Sequence, residues 1–522
     1  MDQLNMTESD NSTRRRPVRW WPLWVIGILA VLALVFVWEF RDAYRQEKNI
    51  FSAIISMITL GLMLLWWTFF SRIKWKLRLG VILVVAVMVG IGSQAFEIIG
   101  VSGDLIPIIR LKSGGTQKAS VEKVVVDADV ESLPRAEQDF LQFLGPNRDA
   151  VLAGISLTQE QMQTPPMERW RQPIGQGWSG FVVEGPFAYT QEQSGDQEKV
   201  TCYQLSTGSL LWEHSYLADY SSVIAGNGPR ATPTISGDFL VTMGSTGVLN
   251  CLKRSDGELI WSHDVIKEAQ AKVPEWGFSP SPLVMQSQVI VPTGEGGESG
   301  LRVYDLETGS LVRSYPKVSA SYSSPILAQW GDVNQLLYMH HRGFAGFATD
   351  SDQMLWDISW GSQYPDVAVP IVLPDSRVFI SSGYGIGCAL LEVKATESGD
   401  WSAEQIWKQR SMKAKFTNVV ARDGFVYGLD DGMMACIDLK KGRRQWKDGR
   451  YGHGQIFLLD NAIMILSEKG DIIWMEINPE EPKVISQWHA IDGKTWNPPC
   501  LAWPYLLVRN DQEAVCFEFD VK

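Results

Sequence analysis

The sequence predicts an all-β chain folded as an eight-bladed β-propeller and preceded by three transmembrane α-helices. Three observations carry this. Long uncharged runs are confined to the first hundred residues, a strand–turn–Trp pattern recurs through the remainder, and the chain holds 22 Trp in 522 residues. Charge divides the chain at the same place. Residues 1–112 carry 13 Lys/Arg and 8 Asp/Glu, a net of +5, whereas the whole chain carries 47 and 59, a net of −12. The remainder is therefore at −17, which argues against nucleic acid as a partner.

Three runs suit membrane spans. Trp20–Phe40 is apolar apart from Glu39, Phe51–Phe70 has no charge, and Leu79–Val101 is apolar until Gln94 and Glu97. Each is long enough to cross roughly 30 Å of hydrocarbon at 1.5 Å per residue. Trp20, Trp21, Trp24, Trp38, Trp66, Trp67 and Trp75 cluster near their ends, where an amphipathic indole prefers the headgroup level. The first run lacks a small-residue cleavage site and two more spans follow it, so it reads as an anchor and not a removed leader. Arg14, Arg15, Arg16 and Arg19 precede the first span, and Arg72, Lys74, Lys76 and Arg78 separate the second from the third. The positive-inside rule then places the N-terminus in the cytoplasm and everything beyond the third span outside it. The expected organisation is a basic tail over 1–19, a membrane region over 20–101, a stem over 102–140 and the propeller over 141–522.

Within the last segment a ten-residue unit repeats. Tyr203–Trp212, Leu252–Trp261 and Ile437–Trp446 each run from a strand through a Gly-containing turn to Trp, while Tyr304–Arg313 keeps the turn and carries Arg in the Trp slot. Gly at 208, 257, 309 and 442 supplies the positive φ of a tight turn. Including looser copies, the slots fall at 212, 261, 313, 356, 407, 446 and 488, spaced by 49, 52, 43, 51, 39 and 42 residues. Short strands repeating at that period read as four-stranded propeller blades. After Trp488 the chain supplies Cys500–Arg509 and Glu513–Asp520 without a following Trp strand. An orphan strand around Trp170 lies 42 residues before Trp212, in register with the repeat. Giving it to the C-terminal strands completes an eighth blade and leaves no open sheet edge. Seven blades are the alternative, because the Trp407 copy is irregular.

These copies resemble the pyrroloquinoline-quinone (PQQ) repeat of quinoprotein alcohol dehydrogenases, which also builds the assembly factor BamB. Phe143-Leu-Gly-Pro-Asn-Arg-Asp149 is similar to a lead-in found in many PQQ-like propellers, with Leu144 in place of Arg and Ala150 in place of Gly. The resemblance covers about residues 140–520 and implies the fold. In the dehydrogenases it would also imply PQQ between a Trp and a disulfide of adjacent cysteines, with a calcium ion and a catalytic Asp. This chain has no adjacent Cys pair. Cys202, Cys251, Cys436 and Cys516 instead share one repeat position, which puts each in its own blade, and Cys388 and Cys500 stand apart. They read as buried small apolar residues.

Other chemistry is sparse. His214 and His263 share a repeat position, His489 follows Trp488, and His340-His341 is a short cluster in a turn whose neighbours face opposite ways. Gly294–Gly300 follows a strand with no helix after it, which makes it a hairpin loop and not a phosphate loop. No triad or paired-carboxylate pattern emerges, so no catalytic, cofactor or metal residue is assigned. One constellation stands out. Trp178, Arg230, Trp276, Tyr322, Lys415, His453 and Trp496 precede successive innermost strands at one repeat phase. They would ring one face of the propeller, either as an interaction rim or as caps packed between blades.

The expected role is a non-catalytic scaffold or protein-interaction module in the bacterial envelope, anchored in the inner membrane and partnered by envelope proteins or polymers, with no cofactor. A PQQ-dependent dehydrogenase using PQQ and calcium is the first alternative. A carbohydrate- or small-molecule-sensing propeller is the second.

Overall fold

The computed structural model describes residues 18–112, 133–316, 318–397 and 399–521. The basic cluster Arg14–Arg16 and the middle of the expected stem, 113–132, lie outside the described residues. The chain divides into two compact units, Met1–Gly115 and Thr116–Lys522.

The first unit holds three helices long and apolar enough to cross a membrane: α1 (Trp21–Phe40), α2 (Arg45–Phe70) and α3 (Trp75–Ala95). α3 ends earlier than the hydropathy suggests. Phe96–Val101 forms a strand antiparallel to Pro107–Leu111, and Glu97 pairs with Arg110 at 2.8 Å across that hairpin. The β-branched run Ile98-Ile99-Gly100-Val101 favours extended backbone, and the hairpin gives the Glu97 charge a partner that a continued helix would not.

The second unit is an eight-bladed propeller. Blade 1 is Val182–Glu184, Phe187–Ser194, Gln197–Gln204 and Leu210–Leu217, hydrogen-bonded in that order. Blades 2 to 7 follow over residues 234–264, 283–316, 326–359, 371–409, 419–450 and 455–489. Blade 8 takes Cys500–Ala502, Tyr505–Arg509 and Glu513–Glu518, and its outer strand is Met167–Pro173 from the other end of the domain. The seam is thus the expected one, and the Trp407 copy is a full blade with a lengthened outer hairpin, Gly387–Ala395 and Trp401–Gln409.

A shared device aims the slot side chain. In blades 1, 2, 6 and 8 the slot Trp stands directly across from the repeat cysteine: Cys202 from Trp212, Cys251 from Trp261, Cys436 from Trp446, Cys516 from Trp170. The ladder bulges immediately beside each of these pairs, which turns the indole toward the next blade. In blades 1, 2 and 8 it lies there on a turn glycine. A Cβ on Gly208 would sit 2.7 Å from the Trp170 ring, and one on Gly257 2.5 Å from Trp212. The indole N–H also reaches across, from Trp170 to Leu205 O at 2.7 Å and from Trp261 to Leu306 O at 2.9 Å. Arg313 does the same work in blade 3, its guanidinium donating to Thr349 O at 2.6 Å. All six cysteines are buried and free.

Candidate functional site

Each innermost strand begins on one face of the ring and ends at a turn on the other. The connections entering these strands build the rim, and the structure places all seven expected residues there. It does not give them one role.

Trp178 is buried, and its indole donates to Ala225 O at 2.7 Å. Arg230 donates to the carbonyls of Gly228, Ala225 and Gly226 and stacks on Tyr220, 4.4 Å from the ring centre. Burial pulls its guanidinium down to about 10. The pair therefore clamps the loop 218–229 between blades 1 and 2, with Gly226 directly under the Trp178 ring. The tip of that loop is apolar and open: Val223 is 74% exposed and Ile224 49%. The adjoining connection is tied to it, because Tyr220 donates its hydroxyl to Glu275 O at 2.7 Å. There Trp276 is half-buried against Tyr322, with ring centres 5.7 Å apart, and the Tyr322 hydroxyl accepts the Trp276 backbone N–H at 3.1 Å.

Across the ring the aromatics touch in series. Tyr364 stacks on Tyr384 at 5.0 Å, Tyr384 meets Phe416 at 6.4 Å, Phe416 meets Trp496 at 5.0 Å, and Trp496 meets Trp178 at 5.1 Å. Cations lie over these rings: Lys415 Nζ is 4.8 Å from Tyr384, and Lys494 Nζ is 4.0 Å from Trp496. Trp496 also donates to Glu468 at 2.9 Å. His453 is buried at the edge of Phe416, with ring centres 5.5 Å apart. Blade 5 had no sequence candidate. Its entry contributes Asp366, 2% exposed and with Oδ2 lacking a hydrogen-bond partner among the described residues; burial raises its carboxyl to about 6.

Sequence reasoning missed one feature and the role of another. The first is a belt of hydrogen bonds around the axis. Gly180 N–H donates to Thr232 Oγ1 at 3.1 Å, Thr232 N–H to Ser281 Oγ at 2.9 Å, and Ser281 N–H to Ser324 Oγ at 2.9 Å. Val369 N–H donates to Asn418 Oδ1 at 2.8 Å, and Asn497 closes the ring onto Ser179 O at 2.9 Å. Its signal was present: Thr232-Pro233, Ser281-Pro282, Ser324-Pro325 and Asn497-Pro498 are a polar residue before Pro at blade spacing. The second is the lead-in. Phe140 exchanges both backbone bonds with Val183 of blade 1, Leu141 O accepts from Ile235 of blade 2, and Val151–Leu152 pairs in parallel with Leu458–Leu459 of blade 7. Between them Arg148, 4% exposed, donates to Ser281 O and Pro282 O of blade 3 at 2.9 and 3.0 Å. The segment 140–152 thus ties together the innermost strands of blades 1, 2 and 7 and the entry to blade 3. Ala150 sits at φ +60°, which accounts for Gly at that place in the similar lead-ins.

His340 and His263 have both ring nitrogens engaged. His340 has Asp357 on Nε2 at 2.9 Å and His341 O on Nδ1 at 3.2 Å. His263 lies between Glu268 and Gly309 O, at 2.6 and 2.8 Å. The thiols, buried on separate strands, do not fit a quinone held against adjacent cysteines.

The family model described as "Outer membrane protein assembly factor BamB" matches residues 196–448. No curated protein matches the chain by sequence. Among solved structures, the quinohemoprotein alcohol dehydrogenase of Comamonas testosteroni is similar at 9% identity, covering 76% of this chain and 83% of its own, with a TM-score of 0.53. The quinohemoprotein alcohol dehydrogenase ADHIIG of Pseudomonas putida HK5 is similar at 10% identity, with 77% and 84% covered and a TM-score of 0.51. BamB of Moraxella catarrhalis is similar at 15% identity, 66% and 86% covered, with a TM-score of 0.36. The two dehydrogenases share the propeller fold with this chain.

Proposed function

We propose that this PQQ-like repeat propeller is displayed outside the cytoplasm from the inner membrane of a bacterium, its N-terminus cytoplasmic, and serves there as a non-catalytic scaffold for envelope proteins. One observation carries the reading. The rim's strongest side chains are spent on holding loops in place, and what the clamped loop 218–229 offers to solvent is the Val223–Ile224 tip. A rigid loop with β-branched residues at its apex loses little entropy on docking. A catalytic centre would instead need acid–base groups free to act on a substrate.

A photo-reactive amino acid at Val223 of the full-length protein, irradiated in native membranes, is expected to give a discrete protein adduct that disappears when Trp178→Ala unseats the loop. The same probe at Val333, on the opposite face, should give none. Identical adducts from both positions, or none from Val223, would defeat the proposal. Orientation has a separate check: a reporter fused after Lys522 should be active only outside the cytoplasm, and cytoplasmic activity would reverse the assigned topology.

A further inference from the structure

At the joint of blades 1 and 2 the repeat is altered, and the alteration leaves a pocket. Three residues after the repeat cysteine position the chain carries Leu205, Leu306, Val393, Leu439 and Phe519 in blades 1, 3, 5, 6 and 8, all buried. In blade 4 that position is Thr349, whose carbonyl accepts from Arg313, and in blade 2 it is the charged Arg254; both are partly exposed. The carbonyls of Leu205, Leu306 and Leu439 accept the slot indole of the preceding blade. At the joint of blades 1 and 2 the Trp212 N–H donates to no acceptor among the described residues and the ring forms a wall of the pocket.

The cavity is about 630 Å³, within the range of small-molecule sites. Phe187, Leu211, Phe239 and Ile260 complete its apolar walls, and Tyr189 and Cys202 also line it. Its charged lining is two cations, Lys253 and Arg254, against one anion, Asp238. Arg254 is held in place by a 3.0 Å bond to Gly237 O and an ion pair with Glu184, with about a quarter of its side chain still exposed. Lys253 pairs with Asp256 at 3.0 Å. A leucine here would fill the joint as it does elsewhere in the ring. A repeat position that forgoes that packing is the kind of local departure that marks function.

We propose that this pocket, on the face opposite the rim, binds a small monocarboxylate with an apolar ring or branched alkyl body. The body fills the aromatic walls, a carboxylate oxygen takes the Trp212 N–H, and Arg254, about a quarter of whose side chain stays exposed beside its Glu184 partner, donates to the other oxygen. Asp238 in the same lining disfavours a second negative charge.

Calorimetric titration of the full-length protein with 3-phenylpropionate is expected to show saturable binding. The matched amide and phenethylamine should bind at least tenfold more weakly. Arg254→Leu and Trp212→Phe should each weaken the carboxylate at least tenfold, and the leucine variant should melt no lower than wild type because it restores the packing of the other joints. Trp276→Ala, on the rim, should leave the titration unchanged, so this test fails or succeeds independently of the scaffold reading. Absence of binding, preference for the amine, or binding untouched by both pocket variants would overturn the proposal.

Discussion

Trp170→Ala is expected to lower the stability of the propeller by about 3–5 kcal/mol, the usual cost of truncating a buried Trp in a packed core. The side chain is 8% exposed, lies on Gly208 of blade 1 and donates to Leu205 O at 2.7 Å. Its position raises the stakes beyond those of the other slot residues. Strand Met167–Pro173 is the N-terminal contribution to the C-terminal blade, so Trp170 packs at the joint that closes the ring. The exposed ion pairs of the same strand, Arg171 with Glu168 and Glu513, contribute little by comparison. Urea unfolding of the full chain should show a clear drop in midpoint for Trp170→Ala. Met167→Ala, half-exposed on the same strand, should stay within about 0.5 kcal/mol of wild type. Equal shifts for the two would remove the seam from its assigned role.

Asp366→Asn is expected to stabilise the protein at neutral pH. The carboxyl is buried at the entry to blade 5, and burial raises it from 3.8 to about 6 despite the Ser382 hydroxyl and the His340 charge, which favour ionisation. Because the folded form holds its proton more tightly than the unfolded form, stability is lost as pH rises through the window from about 4 to 6. Above that window the ionised group costs on the order of 3 kcal/mol, which an uncharged amide of the same shape avoids. The variant should therefore melt higher than wild type at pH 7.5, and the two curves should converge near pH 4. A constant difference across that range would show that the charge is not the cause.

The fold was legible because its determinants are local and repeated. Gly208, Gly257, Gly309 and Gly442 fix a turn, and the Trp slots that follow mark the outer strands. The period between them leaves room for four strands, and the orphan Trp170 strand marks the seam in the sequence itself. Even Arg313, the exception in the Trp slot, proved to bridge the same joint. The end of α3 was less legible, since hydropathy alone does not distinguish an apolar helix from an apolar strand, and only the Glu97–Arg110 pair across the hairpin separates them.

The rim was legible as positions and not as roles. Repeat phase located Trp178, Arg230 and Trp276, but it could not show that the first two grip the loop bearing Val223 and Ile224, or that Asp366 stands buried at the entry to blade 5. The lead-in around Arg148 was recognised as a motif without a purpose, because its partners Ser281 and Pro282 lie more than a hundred residues away.

By itself, then, the sequence determined three apolar spans, an eight-bladed ring and the joint where the ring closes, since periodic turns and hydropathy are written residue by residue along the chain. The tertiary structure alone decided which side chains face solvent, which carboxylate is buried at a blade entry and where a missing leucine opens a pocket. Those properties belong to the space between blades, and that space is set by residues from both sides of each joint packing together.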